Sequence, residues 1–217
     1  MPRPPAWVPP DGELRRFFGN SARYPYYRLR LFEYVARLLP PAGPCSIVDV
    51  GAGDGSLAAA FARYRPQTRV VGLEVKVRAV TRSGFQMLRF DGRRIPLRDA
   101  SADVALLSNV LHHAEDPGQL LQEVRRVTRR RVVIKDHLTR GKLDDLQLRL
   151  LDVLGNLRLG AQVRATYLDS ARWDALLGSL GGVAVARYPN LSFRRGILER
   201  VFSNGLELMF AVDVATA

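Results

Sequence analysis

A chain of 217 residues, 47% hydrophobic and 25% charged, can bury one sizeable core but not two ordinary ones, and that balance excludes a disordered chain. A single cysteine, Cys45, excludes an intramolecular disulfide and suits a reducing, cytoplasmic setting. No apolar run reaches bilayer length, and the opening residues lack the apolar segment of a signal peptide.

The Pro-rich start makes residues 1–25 read as an extended N-terminal arm. Tyr27, Leu31, Val35, Leu38 and Leu39 recur at helical spacing, which predicts a helix over 26–39, stopped by Pro40-Pro41. Residues 46–50 form a short apolar run ended by glycines, a buried strand. A helix over 56–64, a strand over 69–73, a strand over 86–90 and a strand over 103–107 follow. Asp116 as N-cap and Pro117 at the first position open a helix over 117–127. A strand over 131–135 closes this half. Alternating helices and strands buried on both faces predict a parallel sheet wrapped by helices, an α/β Rossmann-like fold. The link over 75–85 is near the minimum length for a parallel crossover.

Beyond that core the pattern changes. Residues 138–166 read as a helical insertion, broken at Gly155-Asn156. A helix from 169 or 170 to 180 and strands over 182–188 and 206–214 complete the chain, the two strands as an antiparallel edge. The division is therefore one domain: arm 1–25, core 26–137, insertion 138–166, and a C-terminal helix and strand pair over 167–217.

The net charge of +12 raises nucleic acid as a partner, although the cations are nearly all arginine. The densest group is Arg125, Arg126, Arg129, Arg130 and Arg131. It falls at the end of a predicted helix, where cations suit the dipole, and no aromatics interleave with it. The only lysines are Lys76, Lys135 and Lys142.

The segment Val48-Asp49-Val50-Gly51-Ala52-Gly53-Asp54-Gly55-Ser56 carries the chemistry. Glycines between a strand and a helix let a ligand approach the backbone, whose first-turn N–H groups face it. The spacing is G-x-G-x-G, not the dinucleotide G-x-G-x-x-G. Asp54 puts a carboxylate where a pyrophosphate needs neutral or positive surroundings. A cofactor without phosphates and with a cationic sulfur, S-adenosylmethionine, fits better.

These residues resemble the class I methyltransferases. The likeness is to the small-molecule family typed by the menaquinone and ubiquinone C-methylases. It covers residues 46–136: the 48–55 motif, Glu74 after the second strand, Asp91-Gly92 after the third, Ile95-Pro96-Leu97 with Ser101 to Asp103, and Ser108 to His113 after the fourth. The resemblance implies that Asp49, Gly51, Gly53, Glu74, Asp91, Gly92 and Ser108 hold the cofactor. In it, Glu74 accepts the ribose hydroxyls and Asp91 the adenine amino group. Asp49 has a second reading, as the holder of the glycine loop, and Asp103 reads as a cap or turn residue.

His112 and His113 lie at the C-terminal end of the fourth strand, where parallel sheets place ligands. Asp136 and His137 lie at the end of the fifth. His112, His113 or His137 is the candidate base or orienting group. Asp136, Asp152 and Asn156 are candidate acceptor contacts, with Tyr167 and Trp173 nearby. Aromatics at Phe17, Phe18, Tyr24, Tyr26 and Tyr27 close the cofactor cleft or simply pack. No metal is called for. Three functions stay open: methyl transfer to a small-molecule acceptor, methyl transfer to RNA or protein, and a non-catalytic cofactor-binding subunit. No oligomeric state follows from the residues.

Overall fold

The computed structural model describes residues 3–19, 25–40, 43–76, 84–156, 165–194, 196 and 204–214, with the backbone alone at 154–156 and 204. Seven strands form one sheet in the order β3-β2-β1-β4-β5-β7-β6. They are β1 (Cys45–Val50), β2 (Thr68–Glu74), β3 (Gln86–Arg89), β4 (Ala102–Ser108), β5 (Thr128–His137), β6 (Val183–Pro189) and β7 (Glu207–Asp213). The first five pair in parallel, and β7 runs antiparallel to both β5 and β6. The Rossmann-like α/β architecture with an antiparallel C-terminal edge is the one expected.

The helices are α1 (Asp11–Gly19), α2 (Pro25–Ala36), α3 (Ser56–Tyr64), α4 (Pro117–Val127), α5 (Lys142–Asn156) and α6 (Ser170–Gly178). Alternation along the strands divides the core in two. Ile47, Val104, Leu106 and Val133 pack with Leu14, Phe18, Phe32 and Phe61 of α1, α2 and α3. Val48, Ala105, Leu107, Val132 and Ile134 pack with Leu121, Val124 and Trp173 of α4 and α6. Successive strand residues thus feed opposite faces, as period two requires. Strand order reverses between β1 and β4, which opens a crevice at their C-terminal ends. No helix among the described residues is long and apolar enough to cross a membrane.

Some expectations need correction. The stretch read as an extended arm contains α1, which begins directly after the prolines end at Pro10. Asp11 and Glu13 lie in its first turn and Leu14 and Phe18 are buried. Phe17 and Phe18 pack against each other, Tyr64 and Phe32, at the core of the α1–α3 face. Tyr24 and most of the 75–85 link lie outside the described residues, as do 157–164 of the insertion. The helix over 26–39 ends at Ala36, where Leu38 N bonds back to Val35 O.

Strand β5 begins at Thr128, so Arg129 and Arg130 join Arg131 on the strand, while Arg125 and Arg126 lie in the last turn of α4 as expected. Several of these arginines brace the fold. Arg126 clasps Glu123, Asp99 and the carbonyls of Ile95 and Leu97. Arg131 grips Asp213 and Leu38 O, and Arg129 pairs with Asp103. Asp103 also accepts from the Ser46 backbone N and Oγ, tying β4 to β1.

Candidate active site

The turn after β1 is built from left-handed backbone: Gly51, Gly53 and Gly55 have φ of 70°, 61° and 71°. The glycines are not equivalent. A Cβ on Gly51 would lie 2.5 Å from Val110 Cγ2, and one on Gly55 2.4 Å from Phe85 Cζ. At Gly53 the nearest atom is Arg28 Nη2 at 3.7 Å. A Cβ is therefore crowded at two of the glycines, while at the middle one it would only come into ordinary contact with an arginine.

Acids surround this turn. Glu74, at the end of β2, accepts from Gly53 N at 2.7 Å through Oε2 and from Val75 N at 3.0 Å through Oε1. Asp54 accepts from Ser56 N and Ser56 Oγ at the start of α3, and Arg28 of α2 reaches Asp54 Oδ1 at 3.4 Å. Asp49 is buried, and its Oδ2 has no hydrogen-bond partner among the described residues. Burial pushes its carboxyl up to about 7, with Arg28 opposing and Asp54 and Glu74 reinforcing the rise. The loop is held by Leu73 O, which accepts from Gly51 N and Ala52 N, by Glu74 on Gly53 N and by Asp54 on Ser56. An orphaned buried carboxylate oxygen beside an open glycine turn suits a cationic ligand.

Asp91 follows β3 and is exposed. Its Oδ1 accepts from Arg93 N and Arg94 N, both at 2.8 Å, and these bonds hold its carboxyl below the usual range. Gly92 beside it has φ 82°. Ser108 ends β4 with its buried Oγ unpartnered among the described residues.

The second half of the site gathers at the ends of β4 and β5. His112 sits in a short 3-10 turn, Leu111–His113. Its Nδ1 lies 2.5 Å from Asp136 Oδ1, and both side chains are buried. Asp136 also accepts from Leu111 N and His137 N. Burial opposes the imidazolium of His112, but the Asp136 carboxylate outweighs it and raises the pKa; the imidazole in turn lowers that of Asp136 despite burial. The other ring nitrogen, Nε2, has no hydrogen-bond partner among the described residues and lies 3.6 Å from Asp152 Oδ2 on α5. Tyr167 stacks on the His112 ring with centroids 5.5 Å apart and donates its hydroxyl to Asp152.

His113 is exposed, with its ring against that of His112. His137 is buried, and its pKa is driven well down by burial and by Lys135. Trp173 fixes the backbone there by donating to His137 O. The structure thus brings His112, Asp136, His137 and Asp152 together. Asn156 closes α5, and its side chain lies outside the described residues.

Sequence reading missed five contributors. Arg28 covers the glycine turn from α2. Asn109, with φ 57°, bonds Tyr27 Oη through Nδ2 and Lys135 Nζ through Oδ1. Lys135 is fully buried on β5, 2.5 Å from Glu207 Oε2 on β7, and Arg194 also binds Glu207. A lysine inside an apolar strand of an arginine-rich chain was the available signal. Lys135→Met should destabilise the fold by about 3 kcal/mol, because Glu207 is left buried with Arg194 and the uncharged His137 beside it. Denaturant unfolding measures this, and a loss below about 1 kcal/mol would show the pair to be dispensable.

A family model described as a methyltransferase domain matches residues 48–134. An uncharacterized methyltransferase of Mycobacterium sp. (strain JLS) is 40% identical over 92 residues, 40% of this chain and 36% of the relative. One from Mycobacterium leprae (strain Br4923) is 30% identical over 176 residues, 69% of this chain and 63% of the relative. These matches span less than two thirds of the relatives' own length. A chain in the solved complex between the Haloferax volcanii Trm112 methyltransferase activator and a methyltransferase superposes with a TM-score of 0.68. That likeness has 17% identity and covers 94% of this chain and 95% of the other. The sheet order, the glycine turn with its acid at the tip of β2, and these matches agree: residues 48–134 carry a methyltransferase domain, and the chain has the fold of the class I S-adenosylmethionine-dependent methyltransferases.

Proposed function

We propose that this chain transfers a methyl group from S-adenosylmethionine to a small-molecule acceptor. One observation carries the reading. An open glycine turn with an orphaned buried carboxylate and a buried Asp136–His112 pair occupy the C-terminal ends of neighbouring strands. One half suits a cationic cofactor and the other a nucleophile that must be placed and relieved of a proton.

The Gly51–Gly55 turn would receive the cofactor, with Asp49 towards its positive charge and Glu74 towards the ribose hydroxyls. Oε2 of Glu74 keeps acceptor capacity beyond its bond from Gly53 N, whereas Oε1 already accepts from Val75 N and Lys76 N. Asp91 and Gly92 would border the adenine, and Ser108 would meet the cofactor from β4. When bound, the cofactor supplies an electrophilic methyl on a good leaving group. The protein's task is then alignment and exclusion of water. Asp136 fixes the His112 ring so that Nε2 meets the acceptor, orients it and takes its proton. Asp152 and Tyr167 border the same space, and His137, uncharged through burial, is the second candidate proton acceptor. Asn156 would add a polar contact from the end of α5.

Asp49 makes cofactor affinity depend on pH. Its raised pKa means that the folded, free protein keeps this proton up to about 7, whereas the unfolded chain loses it near 3.9. The stability it lends is therefore full below about 4 and lost as pH rises through about 7. A bound cation favours the ionised form. Affinity should rise with pH, by up to about tenfold per unit, and level off above 7. Calorimetry across pH 5.5–8.5 reads this, and an Asp49→Asn chain should give a flat profile.

The likeness to a chain solved with a methyltransferase activator favours a second reading, action on RNA or protein with a partner subunit. A labelled-methyl assay over pooled metabolites, total RNA and protein separates the two. Label in a small-molecule fraction is expected. Label confined to RNA or protein would establish the second reading, and cofactor binding without any transfer would mark a non-catalytic subunit.

A further inference from the structure

Helix α5 has two faces with different tasks. Its inner face buries Leu148 and carries Asp152 to His112. Its outer face holds Leu143, Leu146, Leu150 and Val153, which are 78%, 64%, 47% and 44% exposed. Their spacing of three, four and three residues puts them on one stripe along the helix. Single exposed apolar side chains are ordinary, but four in line are not.

The charges around the stripe are ordered. Lys142 and Arg149, both exposed, stand three or four residues from Leu146, Arg149 also four from Val153, and so border one edge of the stripe. The acids Asp144, Asp145 and Asp152 fall away from it. Asp144 is spent on Arg140, and Asp152 on His112 and Tyr167. An apolar stripe bordered by long cations and turned away from the acids is the pattern of a helix lying in a bilayer surface. There the leucines enter the acyl boundary and the cations stay at headgroup level. The whole chain carries +12, which adds attraction to an anionic leaflet.

We infer that the Leu143–Val153 face of α5 docks this protein on an anionic lipid bilayer. The inference goes beyond methyl transfer and needs no cofactor for its test. Because the inner face of the same helix borders His112, docking would set the acceptor site at the membrane surface.

Flotation of the full chain with vesicles tests it, using equal parts phosphatidylglycerol and phosphatidylcholine against phosphatidylcholine alone. Binding is expected to the anionic vesicles and to weaken in high salt. A Leu146→Glu/Leu150→Glu chain should lose about tenfold or more in partitioning, with its thermal midpoint and S-adenosylmethionine affinity unchanged. If that chain does not fold, Lys142→Gln/Arg149→Gln should still weaken partitioning by about tenfold. No binding by the wild-type chain would overturn the inference, as would equal binding by the variants or equal binding to neutral vesicles. So would a dimer that the glutamates split while vesicle binding is absent, since the face would then serve a second copy. None of these outcomes touches the methyl-transfer reading.

Discussion

Gly53→Val is expected to abolish S-adenosylmethionine binding in a chain that remains folded. The left-handed backbone at this position costs a branched residue about 1–2 kcal/mol, a drop of several degrees in Tm. That is a strain the fold can carry, since the nearest protein atom to a Cβ there is 3.7 Å away. The same change at Gly51 or Gly55 would drive a Cβ into Val110 or Phe85, so folding itself would suffer. The valine methyls at 53 would fill the space over the turn that the cofactor needs. A loss of at least about 100-fold in affinity is expected, equivalent to about 2.7 kcal/mol. Calorimetry beside a thermal melt separates the effects: retained affinity would mean that the space over Gly53 is not the cofactor's.

His112→Ala should lower kcat by about 10²–10⁴ and leave cofactor affinity within a few-fold of wild type. The acid left behind still accepts from Leu111 N and His137 N, so it is not stranded. The pH profile is the sharper readout. A base must be unprotonated, and Asp136 raises the His112 pKa, so wild-type kcat should rise with pH through a value above the ordinary imidazole 6.5. Asp136→Asn removes that support and should move the limb to lower pH while reducing its height. If His112→Ala leaves kcat unchanged and His137→Ala lowers it, the proton goes to His137. Unchanged turnover in both chains would remove side-chain base catalysis from the mechanism.

Much of the architecture was legible because it rests on local pattern. The β1, β4 and β5 runs are apolar on both faces, and only a sheet covered on both sides buries them; α4 spans 117–127 as its Asp116 cap and Pro117 indicated. The glycine turn was legible for the same reason: Gly51, Gly53 and Gly55 declare their backbone without reference to distant residues. What escaped depends on pairing across the sheet or between layers. Nothing near Lys135 in sequence announces Glu207, 72 positions on, because β7 meets β5 only in the folded sheet. Arg28 reads as an ordinary helix cation until α2 is laid over the turn. The arginine run misled because its position relative to α4 was legible, whereas its partners Asp99, Asp103 and Asp213 were not. Asp136 beside His112 falls between these cases. Each was singled out from its place at a strand end, but the bond joining them is a fact of tertiary structure.

Titrating the full chain with S-adenosylmethionine and with its demethylated product, at pH 8 where Asp49 is ionised, tests the central claim most directly. One molecule of each should bind per chain, and Gly53→Val should bind neither. Silence towards both, with heat instead from a nucleoside diphosphate or a dinucleotide, would show that the turn after β1 cradles phosphate and that the methyl-transfer reading is wrong.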